Sequence, residues 1–127
     1  FTEVLATFTA LRLKPGDKEM AIYHVEEYAE ENLDTELAYG IDPAQASRFE
    51  GTGLVARQLP FAPLTACVIH HGRAEQITEA ATSVFRWMAT NGLSSAGPLR
   101  EIHLDYRETN HDYTRPVTVE LQLPVTE

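Results

Sequence analysis

GPLREIHLDYRETNHDYTRPVTVELQLPV, residues 97–125, is the segment around which the rest of the chain is organised. It holds two runs of strand character, 99–106 and 116–123, joined by a polar connection too long for a tight hairpin. In the second run Val117, Val119, Leu121 and Leu123 alternate with Thr118, Glu120 and Gln122, the two-residue period of a sheet with one packed face. Pro116 is expected to open this strand and Pro124 to stop it, because proline has no N–H to give a ladder. In the first run Glu101, His103 and Asp105 share one face, and Ile102 and Leu104 share the other. Antiparallel pairing of the two runs is expected to set Glu101 and Glu120 on one surface. Two acids there repel unless something positive lies between them.

Working outward, 127 residues suit one domain with a real core. With 43% hydrophobic and 23% charged residues, the chain has the composition of an ordinary globular protein. No apolar run nears the roughly 20 residues of a membrane helix, so no membrane partner is expected. No secretory leader is visible, and a cytoplasmic location is expected. Cys67 is the single cysteine, which suits a reducing compartment; between the apolar neighbours of TACVIHH it is expected to be a small core residue. The net charge of −9 argues against nucleic acid binding through this segment and is compatible with a cationic ligand. Glu26, Glu27, Glu30, Glu31 and Asp34 read as a solvated acidic turn.

Upstream, Phe1, Val4, Leu5, Phe8 and Leu11 recur at helical spacing, and Pro15-Gly16 is expected to end that helix. Strands are expected at 20–25 and, after the acidic turn, at 33–41, where Asp42-Pro43 breaks the run. Two more are expected at 53–59 and 64–71, on either side of the bend that Pro60 and Pro63 impose. Residues 74–91 make the clearest helix, with Ile77, Ala80, Ala81, Val84, Phe85 and Met88 on one apolar face. Asn91-Gly92 closes it.

This order contains a repeat: helix, Pro/Gly loop, strand, polar turn and acid-bearing strand occur twice. Tyr23 falls where His103 falls, and Glu36 where Glu120 falls. The first half-repeat, 1–45, lacks the strands that precede the helix in the second, 52–127, and is expected to be incomplete at its N-terminus.

The segments LPFAPLTACVIHHG, GPLREIHL and VTVELQLPV, the helix bearing Trp87, and AIYHVEEYAEENLDTEL together resemble a GyrI-like effector-binding domain. This is the bacterial ligand sensor found at the C-terminus of MerR-type and AraC-type transcription regulators. The resemblance covers most of the chain in the family's order. It implies a single α+β domain with pseudo-two-fold duplication, an antiparallel sheet with one main helix per half, and a ligand cleft between the halves. It also implies multidrug-type binding of small molecules, often hydrophobic cations, read by aromatic rings and by the acid at Glu120. The chain departs from the family at Ala74, where an aromatic is usual, and at His103, where the family has a tyrosine; both changes thin the aromatic lining.

From the residues themselves, a carboxylate in an aromatic recess binds a cation by charge, and each ring adds about 0.5–2 kcal/mol of cation–π attraction. Tyr23, Trp87 and Tyr106 are the candidate rings, Glu120 the first acid and Glu101 the second, with His103 and Glu36 beside them. His70, His71 and His103 show no spacing of a tetrahedral metal set, no axial-ligand motif for haem stands out, and no cofactor is expected. The expected function is a small-molecule sensor rather than an enzyme, with a hydrophobic, cationic or neutral ligand; a homodimer is compatible with an uncovered sheet edge. Two rival readings are a hydrolase of reactive xenobiotics with Glu120 or Glu101 as general base, and a stand-alone protein-interaction module.

Overall fold

The computed structural model describes residues 2–16, 18–24, 35–105, 112 and 114–127. In chain order these form α1 (Thr2–Ala10), β1 (Glu19–Tyr23), β2 (Thr35–Tyr39), a 3₁₀ segment (Pro43–Phe49), β3 (Thr65–Gly72), α2 (Ile77–Thr90), β4 (Ser94–Ser95), β5 (Leu99–His103) and β6 (Val117–Thr126). The strands pair antiparallel throughout, in the order β2-β1-β5-β6-β3, with β4 added to β6. The fold is α+β with an open antiparallel sheet.

Both helices close alike. At the end of α1, Leu13 N–H donates to the Phe8 carbonyl at 2.9 Å, and Arg12 takes a left-handed φ of 57°. At the end of α2, Leu93 N–H donates to the Met88 carbonyl at 3.0 Å, and Gly92 has φ 69°. This is the Schellman closure, which satisfies carbonyls that have run out of helix. It ends α1 upstream of Pro15-Gly16, so the proline is not what stops the helix.

The period-2 pattern of β6 decides where the core lies. Val117, Val119, Leu121, Leu123 and Val125 are all buried. Leu121, Leu123 and Val125 pack with Leu99 of β5 under Ala81 and Val84 of α2, and Ile77, Ala80, Phe85 and Met88 complete the contact. At the other end of this face, Phe8 of α1 meets Tyr39 of β2 edge-on, ring centroids 5.9 Å apart, and Phe49 at 5.0 Å. Opposite residues in an antiparallel ladder share a face. Glu19, Ala21 and Tyr23 of β1 therefore lie on the helix-covered face with Glu101 and His103. Met20, Ile22 and Ile102 form a smaller cluster on the reverse face, under Leu59.

Three further expectations are corrected. Residues 53–59 form no strand: the segment crosses the reverse face of the sheet, where Leu59 packs, and the donor-less Pro60 suits a crossing better than a ladder. β6 does not stop at Pro124 but runs to Thr126. The Pro124 carbonyl accepts from Ala96 N–H at 2.8 Å, and its ring stands beside Gly97, where the chain turns between β4 and β5. Cys67 is exposed rather than in the core, because it points from the edge strand β3 to the reverse face. The partial burial of its sulfur, and then the charge of Glu120, push its thiol pKa up. The acidic run at 26–34 and Tyr106 lie outside the described residues.

Candidate functional site

Between the two helices, the helix-covered face of the sheet carries a cluster of charge. β1 sets Glu19 directly opposite His103 of β5, and Ala21 opposite Glu101. The alanine leaves room beside it, so the three ionisable side chains converge. The His103 Nδ1–H donates to Glu19 Oε1 at 2.7 Å, and its Nε2–H to Glu101 Oε2 at 3.0 Å. Two carboxylates accepting from both ring nitrogens require the imidazolium. Burial alone would lower the His103 pKa; hydrogen bonds to Glu101 and Glu19, with their charges, outweigh it and raise the value from 6.5 to about 9.

Two tyrosines join the cluster. Tyr23 donates its hydroxyl to Glu101 Oε2 at 2.9 Å, and Tyr39, from the outer strand β2, donates to Glu19 Oε2. Glu19 is fully buried, Glu101 is 6% exposed, and the His103 side chain is 12% exposed. The Glu101 Oε1 takes no hydrogen bond among the described residues. Among the described residues the cluster sets two carboxylates against one imidazolium, held by directed hydrogen bonds in a recess of low exposure.

The structure sorts the sequence candidates into groups. Glu101, His103 and Tyr23 come together as expected of one face. Glu120 does not join them: it lies opposite Ile102 and Ile69, on the reverse face, while Leu121 takes the position across from Glu101. The expected Glu101–Glu120 surface is thus corrected by a one-residue difference in register, which exchanges the faces of a strand. Glu36 also lies on the reverse face, opposite Ile22, where it bonds His24 and pairs with Arg57 at 2.6 Å. Trp87 is 51% exposed on α2, off the flank that packs on the sheet.

Glu19 and Tyr39 are the members that sequence reasoning missed. A signal for Glu19 existed in the alternation of Glu19, Ala21 and Tyr23. Tyr39 carried no mark, since only the pairing of β2 with β1 brings it across from Glu19. Among the described residues no group of three or more His, Cys, Asp or Glu is arranged to hold a metal ion. Likewise no described helix is long and apolar enough to cross a membrane.

This arrangement of sheet and helices is shared with solved regulator structures. The chain superposes on the crystal structure of the C-terminal domain of EcmrR, a MerR-family regulator, with a TM-score of 0.68 and 23% identity over 87% of this chain. It superposes equally, with a TM-score of 0.68 and 23% identity, on EcmrR in its DNA complex within EcmrR-RPo. The match spans 66% of the C-terminal-domain chain and 39% of the longer chain. At this identity the likeness is one of fold. No family model and no curated protein sequence matches the chain.

Proposed function

We propose that the chain is a small-molecule sensor domain of a transcription regulator, or a relative of one, whose ligand is a hydrophobic cation. The observation that carries this reading is the cluster itself. Among the described residues Glu19 and Glu101 share one imidazolium on the sheet face between the helices, so two acids and a basic ring stand beside tyrosine rings in a desolvated recess. A cation gains there both from charge and from cation–π contact. The fold likeness to the EcmrR C-terminal domain supports the regulator context. Glu101 is the reading acid, with Tyr23 and His103 beside it; Glu19 is the anchor that keeps His103 charged.

A pseudo-two-fold duplication belongs to the same proposal, and the hydrogen-bond pattern supports it. A shift of 80 positions carries the closure of α1 at Phe8, Arg12 and Leu13 onto Met88, Gly92 and Leu93. The same shift carries Glu19, Ala21 and Tyr23 onto Leu99, Glu101 and His103, which are also their pairing partners in reverse order. Gly16 N–H donates to the Gly40 carbonyl at 2.7 Å, as Ala96 N–H does to Pro124 at 2.8 Å. Ile22 faces Glu36 as Ile102 faces Glu120. The local axis passes between Ala21 and Glu101, in the floor of the recess.

Titration with rhodamine 6G and tetraphenylphosphonium tests the site. Glu101→Gln keeps the shape and removes a charge, and a charged contact is worth about 1.5–3 kcal/mol, so affinity should fall roughly ten- to a hundredfold. Glu120→Gln, on the reverse face, should bind as the unaltered protein does. The opposite pattern would move the site to Glu120, and equal binding by all three would remove it from the sheet. Rhodamine 6G carries an ester, and its recovery intact by mass spectrometry is expected of a binder; hydrolysis would favour an enzyme.

A further inference from the structure

The reverse face of the sheet carries a groove of about 250 Å³ where the chain between β2 and β3 crosses it. Ile22, Leu59 and Pro124 supply apolar wall, and Phe61, 89% exposed, stands at the rim. Two guanidinium groups also line it, those of Arg57 and Arg100. Arg57 is already paired with Glu36 at 2.6 Å.

Arg100 differs. Its strand neighbours are Ile22 on one side and Gln122 on the other, so the sheet offers it no acid directly across. Among the described residues it makes no ion pair; its Nη2 donates to the Pro60 carbonyl at 3.2 Å, and its Nε is buried with no acceptor. A buried donor left unmet destabilises more than a met one stabilises, and folded chains keep few of them. In a chain of net charge −9 with 19 acidic residues, a guanidinium left without a carboxylate in an apolar groove runs against the average of the molecule.

We propose that this groove binds a small organic anion, a carboxylate carried on a compact apolar body. Arg100 reads the carboxylate, and Leu59, Ile22 and the Phe61 ring hold the body. A carboxylate displaces the neutral Pro60 carbonyl because charge-assisted guanidinium bonds are shorter, stronger and two-pronged. The volume lies just below the roughly 300 Å³ at which pockets for drug-sized ligands begin, which suits an acid of one or two rings. This site lies across the sheet from the acid–histidine cluster and does not depend on the function proposed for that cluster.

Calorimetric titration with 2-naphthoate, 2-naphthamide and 2-naphthylmethylammonium, which share one ring system, tests the proposal. Naphthoate should bind at least about tenfold more tightly than either analogue. Arg100→Gln should weaken it roughly ten- to a hundredfold, and Arg100→Lys less, since lysine keeps the charge and loses the fork. Ala96→Trp fills an exposed position in the groove wall, keeps every charge, and should abolish binding. Saturating tetraphenylphosphonium should leave naphthoate affinity unchanged. Equal affinity for the amide, full binding by Arg100→Gln or Ala96→Trp, displacement by the phosphonium, or no naphthoate binding at millimolar concentration would each overturn the proposal.

Discussion

His103 spans two strands' worth of acid, and its proton ties the stability of the fold to pH. Its folded pKa of about 9 stands above the ordinary 6.5. A raised pKa means that the folded state holds the proton more tightly, so the stabilisation is full below pH 6.5 and is lost as pH rises through about 9. At about 1.4 kcal/mol per pH unit, the loss is about 3 kcal/mol. Urea unfolding at a series of pH values should show stability falling across that window, and His103→Gln should flatten the fall. His103→Leu should cost about 3–5 kcal/mol, since it leaves Glu19 and Glu101 buried without their shared cation. Much of this cluster was legible, because alternation alone sets Glu101 and His103 on one face. The acid that completes it was not. Which residue lies across the ladder depends on register, and register is a property of two strands, not one. The expected pairing makes Glu120 the acid that joins Glu101, whereas Glu19, one residue before the expected start of its strand, is the acid that joins Glu101 on His103.

At the scale of elements, the two helix closures invite a direct comparison. Arg12 holds a left-handed φ of 57° in the place that Gly92 fills at 69°. A side chain in that conformation costs roughly 1–2 kcal/mol, partly offset by the greater freedom that glycine loses on folding. Arg12→Gly should therefore stabilise the protein by about 1 kcal/mol in thermal or urea unfolding, and Gly92→Ala should destabilise it by a similar amount. Gly16 is constrained differently: a Cβ there would stand 2.7 Å from the Gly40 carbonyl oxygen, so Gly16→Ala must move backbone and should be the costlier change. α2 was the most legible element, because all six residues of its expected apolar face pack on the sheet. The segment at 53–59 was the least. Its apolar residues satisfy a strand pattern and a sheet-crossing pattern alike, and only the neighbouring face of the sheet decides between them.

Across the whole molecule, the sheet is continuous from β2 through β1, β5 and β6 to β3. The pairing of β1 with β5 joins the β1–β2 pair to β5 and β6, and Leu99 of β5 and Leu121 and Leu123 of β6 are fully buried. Native-state hydrogen exchange should therefore find the slowest amides in β6 and β5, with β2 and β3 opening earlier at lower free energy, since among the described residues each of these pairs on one side alone within the sheet. Protection in β2 equal to that of β6 would contradict this order.

The pairing of β1 and β5 at Ala21 and Glu101 also bears on the lopsidedness of the recess. On the proposed repeat, two separate and identical copies would place each residue on the axis against its own twin, acid against acid or methyl against methyl. Such a two-fold floor offers any guest two equivalent poses and cannot tell one end of it from the other. Once both copies lie in one polypeptide, each can drift alone. Position 21 keeps a methyl while 101 holds a carboxylate, and 23 keeps a phenol while 103 holds an imidazole. On that proposal, fusion would be what lets this floor distinguish head from tail in a guest.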